Sequence, residues 1–380
     1  MKTTLSTAKL SEIMDIMTRF VSRNTTLPIL ENVYIKGGID TIIFRASDME
    51  KHIEIEIPAT LDTEWVITVN AKKLADYIKT IDETEINLTI DQTKHTLAIK
   101  TSVDNFKING IAGSEYLWLP SVDSTNTITA DAMSISKGIS KVEYAITDKN
   151  FSPVLTGVLM RIKVVNGEKK MIFVGTDSFR LAEYRMPFGG EGEECSIVIP
   201  KSNITEIKKV IDFYVGKWGS QTTISYSHNL IGWKCDHEDM KITLVSLLIQ
   251  WAFPDYDNEN ILPTKFNTTV VLDKATTDKA VKKVAIMTRD LNNFITLDVG
   301  SNQVIFDSSE VDEGNINTTA SAIVQGNPIK FNMNGRYLSD IIRYTSSNEL
   351  TINIVAEDKP VLFTDKDDAG YRYVIRTINK

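Results

Sequence analysis

Cys235 and His237, with His228 nearby, come closest in this chain to a metal site, and Asp48 with Asp177 come closest to an acid–base pair. One cysteine and two histidines without a second cysteine match zinc spacing poorly, so ordinary strand and loop residues are expected there. His52 and His95 stand in unrelated contexts. The two aspartates end similar segments, Phe44-Arg45-Ala46-Ser47-Asp48 and Phe173-Val174-Gly175-Thr176-Asp177, with Phe306-Asp307-Ser308-Ser309-Glu310 a looser third. Equivalent residues of a repeat lie apart, so a shared proton is not expected. Each aspartate is expected to organise a turn through Asx-type hydrogen bonds. A carboxylate-dependent hydrolase using Asp177 and Asp255 is the enzymatic alternative. No P-loop, dinucleotide fingerprint, HExxH or GxSxG occurs, and nothing in the sequence requires catalysis.

The elements that position these residues follow from the repeat. Val69-Asn70-Ala71-Lys72-Lys73-Leu74, Ile199-Pro200-Lys201-Ser202-Asn203-Ile204 and Met333-Asn334-Gly335-Arg336-Tyr337-Leu338 each read as a strand end entering an amphipathic helix. Leu74, Ile204 and Leu338 fall at one step, 130 and then 134 residues apart, and the acids Asp76, Glu206 and Asp340 follow them. Leu27-Pro28-Ile29-Leu30 matches Ser152-Pro153-Val154-Leu155. A helix-period stretch opens each unit, at 9–20, 132–145 and 274–289. Alternating runs such as Ile53-Glu54-Ile55-Glu56-Ile57 and Leu350-Thr351-Ile352-Asn353-Ile354 mark strands with one buried face. The fold class is therefore α+β: three copies of one domain, each with two helices packed on antiparallel sheets, expected at 1–123, 130–256 and 264–380.

The 380 residues carry 42 Lys and Arg against 50 Asp and Glu, a net charge of -8 that on its face argues against nucleic acid. Divided by element, the balance changes. Six helical windows (7–20, 71–81, 132–145, 201–213, 274–289 and 335–345) hold 17 basic and 8 acidic residues, while the rest hold 25 and 42. Basic helices beside acidic sheets fit a surface that meets phosphates without reading bases. The longest apolar run, 242–253, is too short for a membrane span and is expected to be a buried strand. The amino terminus lacks the apolar core of a signal peptide, and two cysteines, Cys195 and Cys235, are too few for a disulfide framework. A cytoplasmic location is expected. A monomeric three-domain interaction scaffold that never touches DNA is the remaining non-enzymatic alternative.

Thr25-Thr26-Leu27-Pro28-Ile29-Leu30, Thr176-Asp177-Ser178-Phe179-Arg180-Leu181-Ala182, Phe253-Pro254-Asp255-Tyr256 and Asn334-Gly335-Arg336-Tyr337, in this order and spacing, resemble the beta-subunit family of DNA polymerase III, the bacterial sliding clamps. The resemblance covers nearly the whole chain. It implies the DNA clamp fold, a head-to-tail homodimer ring around duplex DNA with helices lining the hole, and a non-enzymatic role without cofactors. It further implies a pocket that tethers the replicative polymerase, the clamp loader, repair polymerases and ligase through short peptides with a glutamine and apolar anchors.

By resemblance, the DNA-facing candidates are Lys72, Lys73, Lys79, Lys141, Lys201, Lys208 and Lys209, with Lys149 and the loop at Arg23-Asn24. The family commonly has a basic residue at the position of Asn24, so Arg23 is expected to stand in. Phe106 is expected to face Ile286 and Met287 across the dimer contact. The pocket maps onto Leu155, Thr176, Ser178, Phe179, Arg180, Leu181, Pro254, Ile261, Asn334, Tyr337, Val361, Val374 and Ile375. Three departures stand out: a tail without the usual proline, Phe179 where many members have His, and a longer 254–263 segment.

Overall fold

The computed structural model describes residues 2–23, 25–118, 121–122, 126–147, 152–219, 221–288, 293–308 and 314–378. Across them one order of ten elements runs three times: strand, helix, four strands, helix, three strands. The first pass comprises β1 (Lys2–Ser6), α1 (Thr7–Met17), β2 (Asn32–Gly37), β3 (Thr41–Ser47), β4 (Lys51–Pro58), β5 (Trp65–Asn70), α2 (Ala71–Ile78), β6 (Glu85–Asp91), β7 (Thr96–Lys100) and β8 (Asn105–Asn109). The second comprises β9 (Thr127–Asp131), α3 (Ala132–Ser140), β10 (Gly157–Val165), β11 (Glu168–Thr176), β12 (Arg180–Pro187), β13 (Cys195–Pro200), α4 (Lys201–Trp218), β14 (Gln221–Tyr226), β15 (Leu230–His237) and β16 (Met240–Leu247). The third comprises β17 (Thr268–Asp273), α5 (Lys274–Thr288), β18 (Phe294–Val299), β19 (Gln303–Asp307), β20 (Asn317–Gly326), β21 (Ile329–Asn334), α6 (Gly335–Tyr344), β22 (Glu349–Ile354), β23 (Val361–Asp365) and β24 (Asp368–Ile375).

Local chemistry sets the helix starts. Side chains of Ser6, Asn70, Asp131, Asp273 and Asn334 accept from the backbone N–H of Lys9, Lys73, Ser134, Thr276 and Arg336, satisfying donors that the first turn leaves open. The remaining helix, α4, follows Pro200 and runs to Trp218, beyond the 201–213 expected from its periodicity. The alternating runs are strands as expected, with the odd members of Ile53–Ile57 buried in β4. Of the apolar run 242–253, only the part to Leu247 is strand, and Trp251 beyond it is 66% exposed.

The chain divides into two compact units. The first, Met1–Ser136 with Gly189–Glu193 and Ser202–Gln250, holds a four-stranded sheet in the order β1-β6-β7-β8 and an eight-stranded one in the order β5-β2-β3-β4-β16-β15-β14-β9. Trp65, Phe44, Phe20 and Trp233 are fully buried in it. Each such side chain contributes about 2–3 kcal/mol of hydrophobic stabilisation.

The second unit, Lys137–Phe188 with Glu194–Lys201 and Trp251–Lys380, holds the twelve-stranded order β13-β10-β11-β12-β24-β23-β22-β17-β20-β19-β18-β21. Its core includes Phe173, Phe306, Phe331, Phe363 and Tyr373, all fully buried among aliphatic side chains. One strand pairing in each unit joins consecutive repeats: β4 with β16 in the first and β12 with β24 in the second. Gly370 permits the second, because a Cβ there would lie 2.0 Å from the Arg185 carbonyl oxygen.

One buried titratable group in the first unit gives a pH prediction. Burial, with Arg45 nearby, lowers the pKa of His52 on β4 from 6.5 to about 4. The unfolded chain therefore binds the proton more readily, so stability present above pH 6.5 falls as the pH drops toward 4. The full span corresponds to about 3 kcal/mol. Urea unfolding across pH 7.5 to 4.5 should show this slope, and His52→Leu should reduce it; an equal slope in both proteins would contradict the assignment.

Candidate partner-docking site

Thr176-Asp177-Ser178-Phe179-Arg180 forms the turn between β11 and β12 in the second unit. Asp177 Oδ1 accepts from the N–H groups of Phe179 and Arg180, both at 3.0 Å, as the Asx reading expects. Ser178 sits at φ 76°, a left-handed conformation the turn imposes, and Thr176 Oγ1 donates to the Arg180 carbonyl at 2.6 Å. In the first unit Asp48 repeats the arrangement: Oδ1 accepts from Glu50 and Lys51, and Met49 sits at φ 72°. Both aspartates are turn formers.

Arg180 is the hub of the site. Its Nε donates to Asp177 Oδ2 at 3.0 Å, Nη1 to Asp340 Oδ2, and Nη2 to the Tyr144 carbonyl at 2.8 Å. The guanidinium carbon lies 4.4 Å from the Tyr337 ring centroid. Burial, reinforced by the Asp177 charge, raises the Tyr337 phenol above its ordinary pKa. Tyr144 stacks on Tyr344 with centroids 4.0 Å apart, and its hydroxyl bonds that of Tyr371. The chain after β24 continues past the turn, with Arg376 N–H donating to the Phe179 carbonyl at 2.9 Å and Ile378 N–H to Asn332. Asp340 and Tyr144 were not among the sequence candidates. Asp340 was nonetheless visible as the acid that recurs after the second helix of each repeat opens.

The pocket candidates separate by exposure. Phe179 is 58% exposed, and Ser178 and Pro254 are exposed as well. Leu155, Ile261, Asn334 and Tyr337 are half-buried. Leu181 and Val374 are nearly closed off and paired across β12 and β24, while Thr176 is buried at the turn. Val361 and Ile375 are completely buried and belong to the sheet beneath the exposed candidates.

The DNA-facing candidates also divide. Lys72 and Lys73 project from α2, exposed and without an ion pair among the described residues. Lys79 pairs with Asp15 at 2.5 Å, Lys208 with Asp212 at 2.8 Å and Lys209 with Glu206 at 2.7 Å, while Lys201 is half-buried. Lys141 is a correction. It is buried, its Nζ donates to the Tyr344 carbonyl at 2.7 Å and Ser346 Oγ at 3.0 Å, and Asp368 lies 3.5 Å away. Burial pulls its ammonium below the ordinary pKa against the opposing pull of Asp368 and Asp365. Such a lysine is committed inside the fold. Arg23 is exposed; Asn24 and Lys149 lie outside the described residues.

Of the contact candidates, Phe106 stacks on Tyr77 at 4.0 Å in the first unit, whereas in the second Ile286 is 68% exposed on α5 and Met287 is half-buried. The imagined metal site does not assemble. Cys235 Sγ donates to Thr222 Oγ1, and His237 stacks on Trp218 while its Nδ1 accepts from Asp239 N–H. No cluster of three His, Cys, Asp or Glu suited to a metal occurs among the described residues.

Comparison with known proteins places this architecture. Three profiles match in order: the DNA polymerase III beta subunit N-terminal domain over residues 1–120, its central domain over 129–255 and its C-terminal domain over 259–378. The beta sliding clamps of Staphylococcus epidermidis and Staphylococcus aureus are each 24% identical over 368 residues, covering 94% of both chains. Among solved structures, the DNA polymerase III beta subunit of Thermotoga maritima superposes with a TM-score of 0.89 at 20% identity, covering 100% of this chain and 99% of that one. The sliding clamp of Bartonella birtlesii, bound to griselimycin, superposes with a TM-score of 0.91 at 21% identity, covering both chains completely. The hydrolase alternative finds no support among these relatives. Three profiles in the order of the three repeats, together spanning nearly all of the sequence, establish that this chain belongs to the DNA polymerase III beta-subunit family of sliding clamps, accessory processivity subunits and not enzymes.

Proposed function

We propose that two copies of this chain close head to tail into a ring around duplex DNA, and that each copy tethers the replicative polymerase, the clamp loader and repair proteins through the site around Arg180. The domains carrying these roles are 1–123, 130–256 and 264–380, and the location is cytoplasmic. Among the described residues no helix is long and apolar enough to cross a membrane.

One observation carries the ring. The last strand of one repeat and the strand closing the second hairpin of the repeat before it form a recurring junction, made within the chain as β4 with β16 and β12 with β24. The remaining equivalents are β20 and β8. Among the described residues β8 pairs only with β7, and the 317–321 half of β20 pairs only with β19. A junction made twice internally, with its third pair of edges open, is completed by a second copy, and heterologous contacts of this kind close into rings. Phe106 lies on β8, and the exposed Ile286 lies near the end of α5, consistent with an apolar contact beside that pairing. Lys72, Lys73, Arg23 and the ion-paired Lys79, Lys208 and Lys209 supply positive charge for phosphates. Binding of this kind is independent of sequence and weakens with salt.

The docking role is tested with the exposed Phe179 and the half-buried Tyr337. Phe179→Ala and Tyr337→Ala should each weaken binding of a glutamine-and-apolar partner peptide at least tenfold, with mass in sedimentation unchanged. Loss of the oligomer instead would show that these residues serve the fold. Leu181→Ala is the poorer probe, since truncating so buried a side chain costs about 2–5 kcal/mol of stability.

A further inference from the structure

Glu183 on β12 is completely buried, an unusual setting for a carboxylate. It is not left unpaired. Arg372 Nε on β24 donates to Oε1 at 2.8 Å, and Arg185 Nη2 donates to Oε2 at 3.0 Å. Arg185 Nη2 also donates to Asp257 Oδ1 at 3.0 Å, and Lys163 Nζ on β10 donates to Asp257 Oδ2 at 3.0 Å. The network therefore runs from the sheet interior to the loop after residue 250. Beside it, Tyr256 is 3% exposed, with Phe253 edge-on at 6.1 Å and the Arg161 guanidinium 5.9 Å from its ring. Burial and the Glu183 charge hold the Tyr256 phenol well above its ordinary pKa.

The loop so anchored carries Pro254 and Ile261. Beyond the anchor it is held by its own bonds, the N–H groups of Ile261 and Leu262 both donating to the Asn258 carbonyl at 3.1 and 2.8 Å. Leu181, Glu183 and Arg185 alternate along β12 and so project to one side of the strand. A row thus leads from the floor of the docking site to the loop that carries two of its other candidates.

We propose that the Glu183–Arg185–Asp257 network is a positioning device that holds the Pro254–Ile261 loop in its docking conformation, so that partner affinity depends on a buried carboxylate that no partner touches. Two carboxylates among three cations leave the arrangement slightly positive, so removing either acid sets like charges against each other and releases the loop. The inference rests on the docking function proposed above for the Arg180 site.

The test uses the full chain with two probes, griselimycin and a synthetic pentapeptide of one glutamine and four apolar residues, and four variants. Asp257→Ala and Glu183→Gln should each weaken binding of the probe about tenfold. Hydrogen exchange at the Ile261 and Leu262 amides should accelerate at least tenfold, with β6 amides unchanged. Asp257→Glu should restore affinity to within about threefold of the parent. Should Glu183→Gln fail to fold, Asp257→Ala at the exposed end of the network carries the test alone. Unchanged exchange in the loop, or faster exchange with unchanged affinity, overturns the inference. Phe179→Ala separates the two levels: if it weakens binding while Asp257→Ala and Glu183→Gln leave affinity unchanged, only the positioning role falls. If Phe179→Ala is without effect, or neither probe binds the parent chain, the docking function falls and this inference with it.

Discussion

Arg180→Met should lower unfolding stability by about 3 kcal/mol and weaken partner docking at least thirtyfold. The size of the first effect follows from what the guanidinium leaves behind. Its side chain is only 10% exposed, and it is the common partner of Asp177 and Asp340, which are 12% and 26% exposed. Methionine fills much of the same volume but leaves two carboxylates facing each other and the Tyr144 carbonyl without its donor. Breaking a buried pair by removing one partner costs about 3–5 kcal/mol, because the desolvated charge that remains has no compensation. The docking effect has a separate origin. Arg180 braces the Tyr337 ring and ties the turn carrying Phe179 to α6, so without it these two side chains lose their mutual geometry. Arg180→Lys should recover little of either, since an ammonium cannot reproduce the planar fork that reaches three acceptors at once. Urea midpoints and peptide titrations check both. A methionine variant as stable as the parent would show that the network is solvent-screened decoration.

Ile286→Asp should convert a species of two chain masses into one of 42.6 kDa in sedimentation. Ile286 is 68% exposed on α5 and lies outside the core of its own unit, so the substitution leaves the protomer's packing intact. In the proposed ring it faces Phe106 of the other copy. An unpaired carboxylate buried there costs about 3 kcal/mol, and each contact should loosen by roughly a hundredfold. Two such contacts close the ring, so both open together. Phe106→Ala should act in the same direction but more weakly, because Tyr77 still covers part of the surface that it leaves. An Ile286→Asp protein that remains at two chain masses would place the interface elsewhere.

Much of the fold is legible in the sequence. The repeat showed itself because each copy must re-enter its second helix from a strand, and Leu74, Ile204 and Leu338 all point into the core there. Asp48 and Asp177 were readable as turn formers because an Asx turn depends only on residues two and three positions on. What escaped was set by partners distant in the chain. Lys141 carries the composition of a DNA-facing lysine, and only the position of Asp368 and the Tyr344 carbonyl turns it inward. Val361 and Ile375 have the right types for a pocket floor, but they pair with each other across β23 and β24 and are completely buried, which no local pattern shows. Asp340 repeated in register with Asp76 and Glu206, yet its bond to Arg180 depends on the β12–β24 junction, which no local pattern encodes. The charge balance behaved the same way. A net charge of -8 says little until it is resolved by element, because 17 basic against 8 acidic residues in the helical windows oppose 25 against 42 elsewhere.

The central claim is topological, and one measurement addresses it directly. The protein is loaded by its clamp loader onto nicked circular DNA, separated from free protein, and the circle is then cut once. A closed ring held by topology should remain on the circle through a wash at high salt, which removes phosphate contacts, and should leave within minutes once the DNA has ends. Retention on the linear product, or loss from the intact circle at high salt, would mean that contacts rather than encirclement hold the protein, and would contradict the account.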